Sequence, residues 1–405
     1  MDVLLMIIYA TIVLGLLVFI HEGGHYLAAR AFGVRVTEFM LGLPGPSLSF
    51  KHGETRFGVT AVLLGGYAKV CGMEAGEMSP HLEPVLAAMY RRGTANMEDI
   101  ARDCGISDDE ALDALDELVE WGSITGPTKR DEYNTYRAVE VKPTKREIAS
   151  AAAAADASAA AAAPSVTPAH DAVTMLDTTP APGTTPVPDA PLSPILPSYA
   201  EGEARPVADA HSLFESEYKK QYRSLPFWKR SVILLAGVAM NLLFAIVLFI
   251  VWFCILGADV QTSSGEIVHV NLNPLQAIQM GFYYIWMVVQ AVVALFNPAT
   301  AAQTVEGSSS VIGIAVMSKS AFDGGLVTVI QFFAMISVSL GVMNLVPIPP
   351  LDGGRFVVEI FQKISRKVVS TRALNYMSAA GMALFLGFFL IMANQDIQRF
   401  VFGNW

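Results

Sequence analysis

His21, Glu22 and His25 stand together in His21-Glu22-Gly23-Gly24-His25, the pattern HExxH. Residues four apart on a helix share one face, so both imidazoles can reach a single metal ion. Glu22 follows the first histidine and can hold a water beside that ion, taking its proton as the water attacks a carbonyl. A zinc ion in such a site needs a third protein ligand and an open position. The best candidate is Asp352, in Asn344-Leu345-Val346-Pro347-Ile348-Pro349-Pro350-Leu351-Asp352-Gly353-Gly354. The three prolines there remove backbone donors and cannot continue a regular helix. Irregular backbone at membrane depth persists only where it is buried in protein or lines a cavity. It would present a carboxylate to a polar site and offer an extended stretch to pair with a substrate. The bland alternatives are satisfied polar residues at a helix–loop boundary and a solvated Asp352 at a cytoplasmic turn.

The elements that must position these residues are membrane helices. The chain has 405 residues, 53% hydrophobic and 16% charged, with a mean hydropathy of +0.44. The apolar residues are clustered. One run covers 3–20 and continues as helix through the histidine motif; others cover 231–256, 326–346 and 373–393. Each is near the ~20 residues that cross the hydrocarbon core. A fifth apolar run, 275–296, carries Gln276, Gln279 and Gln290. No Lys or Arg occurs from Ser231 to Ser318, whereas Lys219, Lys220, Arg223, Lys229 and Arg230 precede the second span and Arg355, Lys363, Arg366, Lys367 and Arg372 follow the third. The positive-inside rule places both clusters in the cytoplasm. Four spans satisfy that parity, so 275–296 reads as an interfacial or re-entrant helix. Cys71, Cys104 and Cys254 are widely spaced without a CxxC, which excludes a disulfide scaffold and a cysteine zinc site.

The first cytoplasmic loop is long. Residues 32–70 read as β-rich runs with a turn at Lys51-His52-Gly53-Glu54, predicting a hairpin or small sheet whose apolar tip at 62–67 dips into the membrane. Residues 83–140 read as three helices followed by a β-wing, with Ser107 and Glu110 forming a capping box, and resemble a winged helix. An Ala-rich, then Pro/Thr/Ala-rich stretch reads as a disordered linker. The expected fold is therefore mainly α and polytopic. It comprises four transmembrane helices, a small membrane-associated β-hairpin and a winged-helix-like insert. The expected divisions are 1–72 (first span and hairpin), 75–148 (insert), 149–218 (linker) and 219–405 (remaining membrane core).

HEGGH in the first span, LLGGYAKV after it, AGVAMN in the second and NLVPIPPLDGGR in the third together resemble the site-2 protease family, most closely its bacterial branch for regulated intramembrane proteolysis. The likeness covers about 1–72 and 225–405. It implies one zinc ion held by His21, His25 and Asp352, with Glu22 as catalytic base. It also implies a β-hairpin at about 57–70, with Gly65 and Gly66, that receives the substrate strand, and a substrate-contacting Asn344. Asn241 matches the asparagine of the family's second helix; by itself it reads equally as a hydrogen-bond donor near substrate and as interhelical glue. The implied location is the inner, cytoplasmic membrane, multi-pass, with the site near the cytoplasmic side. The implied partners are transmembrane protein substrates and the lipid bilayer.

The chain departs from that pattern in three places. Only 257–273 separates the second span from the next apolar run, too short for the family's PDZ domain; the insert enters the first loop; and Ser310-Val311 stands where the family has Gly-Pro. The insert's Ser107–Trp121 helix has seven acidic residues and no Lys or Arg, so a cytoplasmic protein partner is expected there and no nucleic acid. A non-catalytic scaffold that recruits such a partner is the competing function, and a metal transporter a third.

Overall fold

The computed structural model describes residues 2–61, 65–73, 76–128, 131, 133–141, 198–261, 267–400 and 402. They form two compact units. The larger comprises 1–82, 120–122 and 211–405; the smaller comprises 83–119 and 123–210.

The larger unit opens with α1 (Asp2–Ala31), 30 residues and so roughly 45 Å long. Its buried positions Ala10, Val13, Leu17, His21, Gly24 and His25 follow helical spacing and form one stripe, while Leu4, Ile8, Ile12, Leu16 and Phe19 face outward. The metal-ligand candidates therefore continue the stripe by which α1 packs. Strands β1 (Val36–Leu41), β2 (Ser47–His52), β3 (Thr55–Thr60) and β4 (Gly66–Val70) follow, in sheet order β2-β3-β1-β4.

The turn at 51–54 closes the antiparallel β2/β3 hairpin, with Gly53 at positive φ, in agreement with the sequence reading. The hairpin expected at 57–70 is corrected. Its two runs do not pair with each other: β3 lies parallel to β1 on one side and β4 antiparallel on the other. The reason is β1 itself. Val36, Phe39 and Met40 are all buried, and a strand covered on both faces takes the central place. That leaves β4 at the sheet edge. The expected apolar tip lies partly outside the described residues.

The smaller unit contains α2 (Leu82–Arg92), β5 (Thr94–Ala95), α3 (Met97–Cys104), α4 (Asp108–Glu120), β6 (Ile124–Thr125) and β7 (Tyr136–Ala138), with sheet order β5-β7-β6. Asn96 caps α3 and Ser107 with Glu110 caps α4. Most of the expected linker, 149–197, lies outside the described residues.

The chain resumes the larger unit through α5 (Ala210–Tyr218). It continues as α6 (Phe227–Ile250, extended by a π-helical turn Val251–Leu256), the β8/β9 pair (Ala258–Gln261 and Ile267–Val270) and α7 (Pro274–Leu295). Then come α8 (Ala301–Glu306), α9 (Val311–Asp323), α10 (Leu326–Asn344), α11 (Asp352–Ser365) and α12 (Thr371–Phe400). Among the described residues, five stretches are long and apolar enough to cross a bilayer: Val3–Ala31, Phe227–Leu256, Pro274–Leu295, Leu326–Asn344 and Thr371–Phe400. The chain is thus a mainly α, multi-pass membrane protein. Val13 and Leu17 of α1 pack with Phe332 and Phe333 of α10, while Ala245, Phe249 and Val338 join α6 to α10.

Candidate metal centre and active site

The site is assembled from three helices. α1 supplies His21, Glu22 and His25; α6 lies against them; and Asp352 is the first residue of α11. Helix α10 ends at Asn344, and the proline-bearing stretch 345–351 is not helical. It turns on short-range bonds, Ile348 N–H to the Val346 carbonyl at 2.8 Å and Leu351 N–H to the Ile348 carbonyl at 3.0 Å. The chain then restarts as helix at the aspartate. Gly353 and Gly354 make that restart possible. A Cβ on Gly353 would collide with the Leu345 carbonyl, and one on Gly354 with the backbone of Pro349.

Asp352 Oδ2 lies 3.0 Å from His21 Nε2 and 3.2 Å from His25 Nε2. The two Nε2 atoms are 3.3 Å apart. All three donor atoms fall within 4.8 Å of one another. Both histidines are only 7% exposed, so the cluster is withdrawn from water. Burial alone would raise the Asp352 carboxyl; the two imidazoles override that and hold it below the usual carboxylate range.

The far ring nitrogens are also anchored. His25 Nδ1 lies 2.8 Å from the Ile233 carbonyl, which can only accept, so Nδ1 carries the proton and the Nε2 lone pair is free. His21 Nδ1 lies 3.3 Å from Asn241 Nδ2. Two nitrogens and one carboxylate oxygen, buried and convergent, form the donor set of a three-ligand zinc site. His21, His25 and Asp352 are placed to hold one metal ion, and their donor set fits a single zinc. The close α1–α6 approach depends on missing side chains. A Cβ on Gly237 would meet His25 Nε2 and come within 2.8 Å of His21 Nε2; one on Gly24 would strike the Ala236 carbonyl.

Glu22 is bound to the sheet: Ala68 N–H donates to Glu22 Oε2 at 2.9 Å. Along β4 and the residue before it the odd-numbered positions bond inward, as with Gly65, whose carbonyl accepts from Gly42 N–H at 2.8 Å. Gly66 and Ala68 consequently turn their backbone groups to the free edge, on the side of the catalytic-base candidate. Gly66 sits against α1, where a Cβ would meet Val18 at 2.7 Å and Glu22 Cγ at 3.5 Å. Gly65 is exposed at φ +88°.

Asn344 is half-buried and its amide donates to the Leu340 carbonyl of its own helix at 3.0 Å. Asn241 is fully buried with its amide against His21 of α1, an interhelical contact as in the second reading, with a partner that the sequence did not name. The anchors at Ile233, Gly237 and Ala68 were also missed. Gly237 and Asn241, four apart on an apolar helix, were the available signal, since that spacing puts a gap and an amide on one face.

The family model for peptidase family M50 matches residues 9–388. The chain belongs to that family, the site-2 proteases. A Campylobacter jejuni protein bearing a zinc-metalloprotease name is 29% identical over 36% of this chain and 39% of its own length. A similarly named Streptococcus pyogenes protein is 37% identical over 21% of this chain and 20% of its own. A third, from Staphylococcus aureus, is 36% identical over 22% and 21% respectively. The chain thus spans about two fifths or less of the length of these curated relatives.

Proposed function

We propose that this chain is an intramembrane zinc metalloendopeptidase that cleaves transmembrane segments of membrane-anchored proteins in regulated intramembrane proteolysis. The observation that carries this reading is the Asp352 carboxylate at 3.0 and 3.2 Å from the two HExxH imidazoles. Zinc, when bound, acidifies water and polarises a carbonyl. Glu22 is the general base: its carboxylate takes the proton of the attacking water and returns it to the leaving nitrogen. A substrate helix must unwind first, because an intact helix shields its carbonyls. The free edge of β4 accepts the extended segment along Gly65 and Gly66, and the Ala68 N–H turns from Glu22 to the substrate strand. Asn344, beside the interrupted stretch, borders the substrate's path; Asn241, expected there too, is fully buried with its amide against His21 and is set back from it.

Four full spans place both basic clusters and the site on the cytoplasmic side of the inner membrane, with α7 along the interface. Its mean hydropathy of 1.6 is below the 1.9 to 3.0 of the other four candidate stretches, which supports that assignment. Residues 1–72 and 219–405 form the catalytic membrane core and 75–148 a winged-helix module; the linker expected over 149–218 is shorter than that, because Ala210–Tyr218 is helix α5 with Glu217 buried against Arg35. The order helix, strand, helix, helix, strand, strand supports the module. The acidic α4 fits a cytoplasmic protein partner and opposes duplex DNA.

The test is cleavage of a model transmembrane substrate by the purified full chain in detergent or vesicles. Cleavage abolished by a zinc chelator and by Glu22→Gln, with the variant still binding zinc, is the expected result. Absence of cleavage would favour the scaffold reading, and zinc flux without cleavage the transporter.

A further inference from the structure

We infer that Asn241 is a positioning residue for the metal centre: its amide oxygen accepts the His21 Nδ1 proton and thereby fixes the imidazole tautomer that offers Nε2 to zinc. This rests on the zinc reading above and deepens it.

The two histidines are not equally provided for. His25 has a carbonyl at Nδ1, and a carbonyl leaves one tautomer. His21 has an amide there, and an amide can present either an oxygen or an NH2 group. As drawn, Nδ2 faces His21 Nδ1 at 3.3 Å, while Asn241 Oδ1 is buried without a hydrogen-bond partner. That orientation would put a donor against Nδ1, leave Nδ1 as the acceptor and put the proton on Nε2. The proton would then occupy the atom that must carry the metal-binding lone pair. Turning the amide by 180° about its last bond exchanges oxygen and nitrogen in nearly the same volume. Oδ1 then receives Nδ1–H, and Nε2 is free. The turn moves Nδ2 to the unpartnered place and gives both histidines the same polarity, with Nδ1 donating and Nε2 toward Asp352.

The backbone holds Asn241 firmly enough for this role. The residue is 0% exposed, and Ser337 Oγ–H of α10 donates to its main-chain carbonyl at 2.8 Å. Partners on the far nitrogen of a ligand histidine orient the ring and raise its basicity, and their loss typically weakens metal binding by about tenfold to a hundredfold. This explains why an amide is buried inside an apolar helix: it is spent on the metal centre.

The experiment is zinc affinity of the full-length chain in detergent, by competition with a fluorescent chelator, together with thermal unfolding of the metal-free protein. Asn241→Leu keeps the branched shape and removes the acceptor; zinc binding should weaken by about tenfold or more. Asn241→Asp offers oxygens and no N–H, so it separates acceptor from donor and should bind zinc within about threefold of wild type. A folded Asn241→Leu chain with wild-type affinity would overturn the inference. So would Asn241→Asp weakened by about tenfold or more, and this second outcome decides the matter if Asn241→Leu fails to fold. Wild-type chain that binds no zinc would sink the zinc reading itself, a different failure.

Discussion

At the scale of single residues, the metal centre is defined as much by what is missing as by what is present. Three donor atoms share one buried point only because α6 carries no side chain at position 237. Adding one methyl there meets both imidazole rings, so Gly237→Ala must push a histidine out of the common locus or force the helices apart. Overpacking a tight contact costs about 1–3 kcal/mol, which corresponds to roughly fivefold to 150-fold in an equilibrium constant. Gly237→Ala is expected to weaken zinc binding by that factor and to lower cleavage with it, as chelator competition and substrate turnover would measure. Gly15, on the same helix as the histidines with nothing near its Cβ position, supplies the control: Gly15→Ala should leave zinc binding unchanged.

At the scale of elements, one backbone hydrogen bond joins the edge strand β4 to Glu22 of α1. Ala68 is the informative position, since its N–H points away from β1 and bonds Glu22 instead. Proline is tolerated where a strand's N–H faces outward, so Ala68→Pro should preserve the sheet while removing that donor. A drop in kcat/KM of about tenfold with unchanged zinc affinity is expected, because an edge hydrogen bond and the base's resting contact vanish together. Undiminished cleavage would mean that the substrate strand is received elsewhere. A second element-scale device is Asp396 of α12, fully buried, which accepts from Ser310 N–H, Ser310 Oγ–H and Gly313 N–H at 2.7, 2.6 and 3.0 Å. It caps the first turn of α9 from another helix. Asp396→Ala should lower stability by about 2 kcal/mol, visible as a reduced unfolding temperature. These elements also mark the limit of what the sequence discloses. HExxH and the proline-flanked Asp352 were legible because metal ligation constrains residue type and spacing locally. The spans were legible because the bilayer constrains length. The pairing of β1 with both β3 and β4 was not, since nothing in an alternating strand names its neighbour. Asp396 was equally silent, because a cap contributed from 86 residues away leaves no local pattern.

At the scale of the whole chain, one buried charge ties together segments that the sequence separates widely. Arg35, at the root of β1 and 4% exposed, bonds Glu217 of α5 at 2.7 Å, Glu54 at 3.1 Å and the carbonyls of Trp121 and Gly122 at 3.2 and 3.0 Å. It thereby joins the sheet, whose far edge faces Glu22, to chain passages 86 and 182 residues away. Burial would raise the Glu217 carboxyl, yet Arg35 and Lys220 override it and hold it at about 2 against an ordinary 4.5. The folded form thus keeps this carboxylate ionised where the unfolded chain has already taken up a proton. Its stabilisation is fully present above about pH 4.5 and is lost progressively as pH falls towards 2. Glu54 is lowered from 4.5 for the same reason and adds in the same direction. Thermal unfolding in detergent at several pH values should therefore show stability falling as the solution is acidified below pH 4.5. Glu217→Gln should flatten that slope. It should also cost roughly 3 kcal/mol at neutral pH, because it strips the principal counter-charge from a buried guanidinium. An unchanged acid slope in Glu217→Gln would locate the sensitivity in other carboxylates and remove Arg35 from the centre of this assembly.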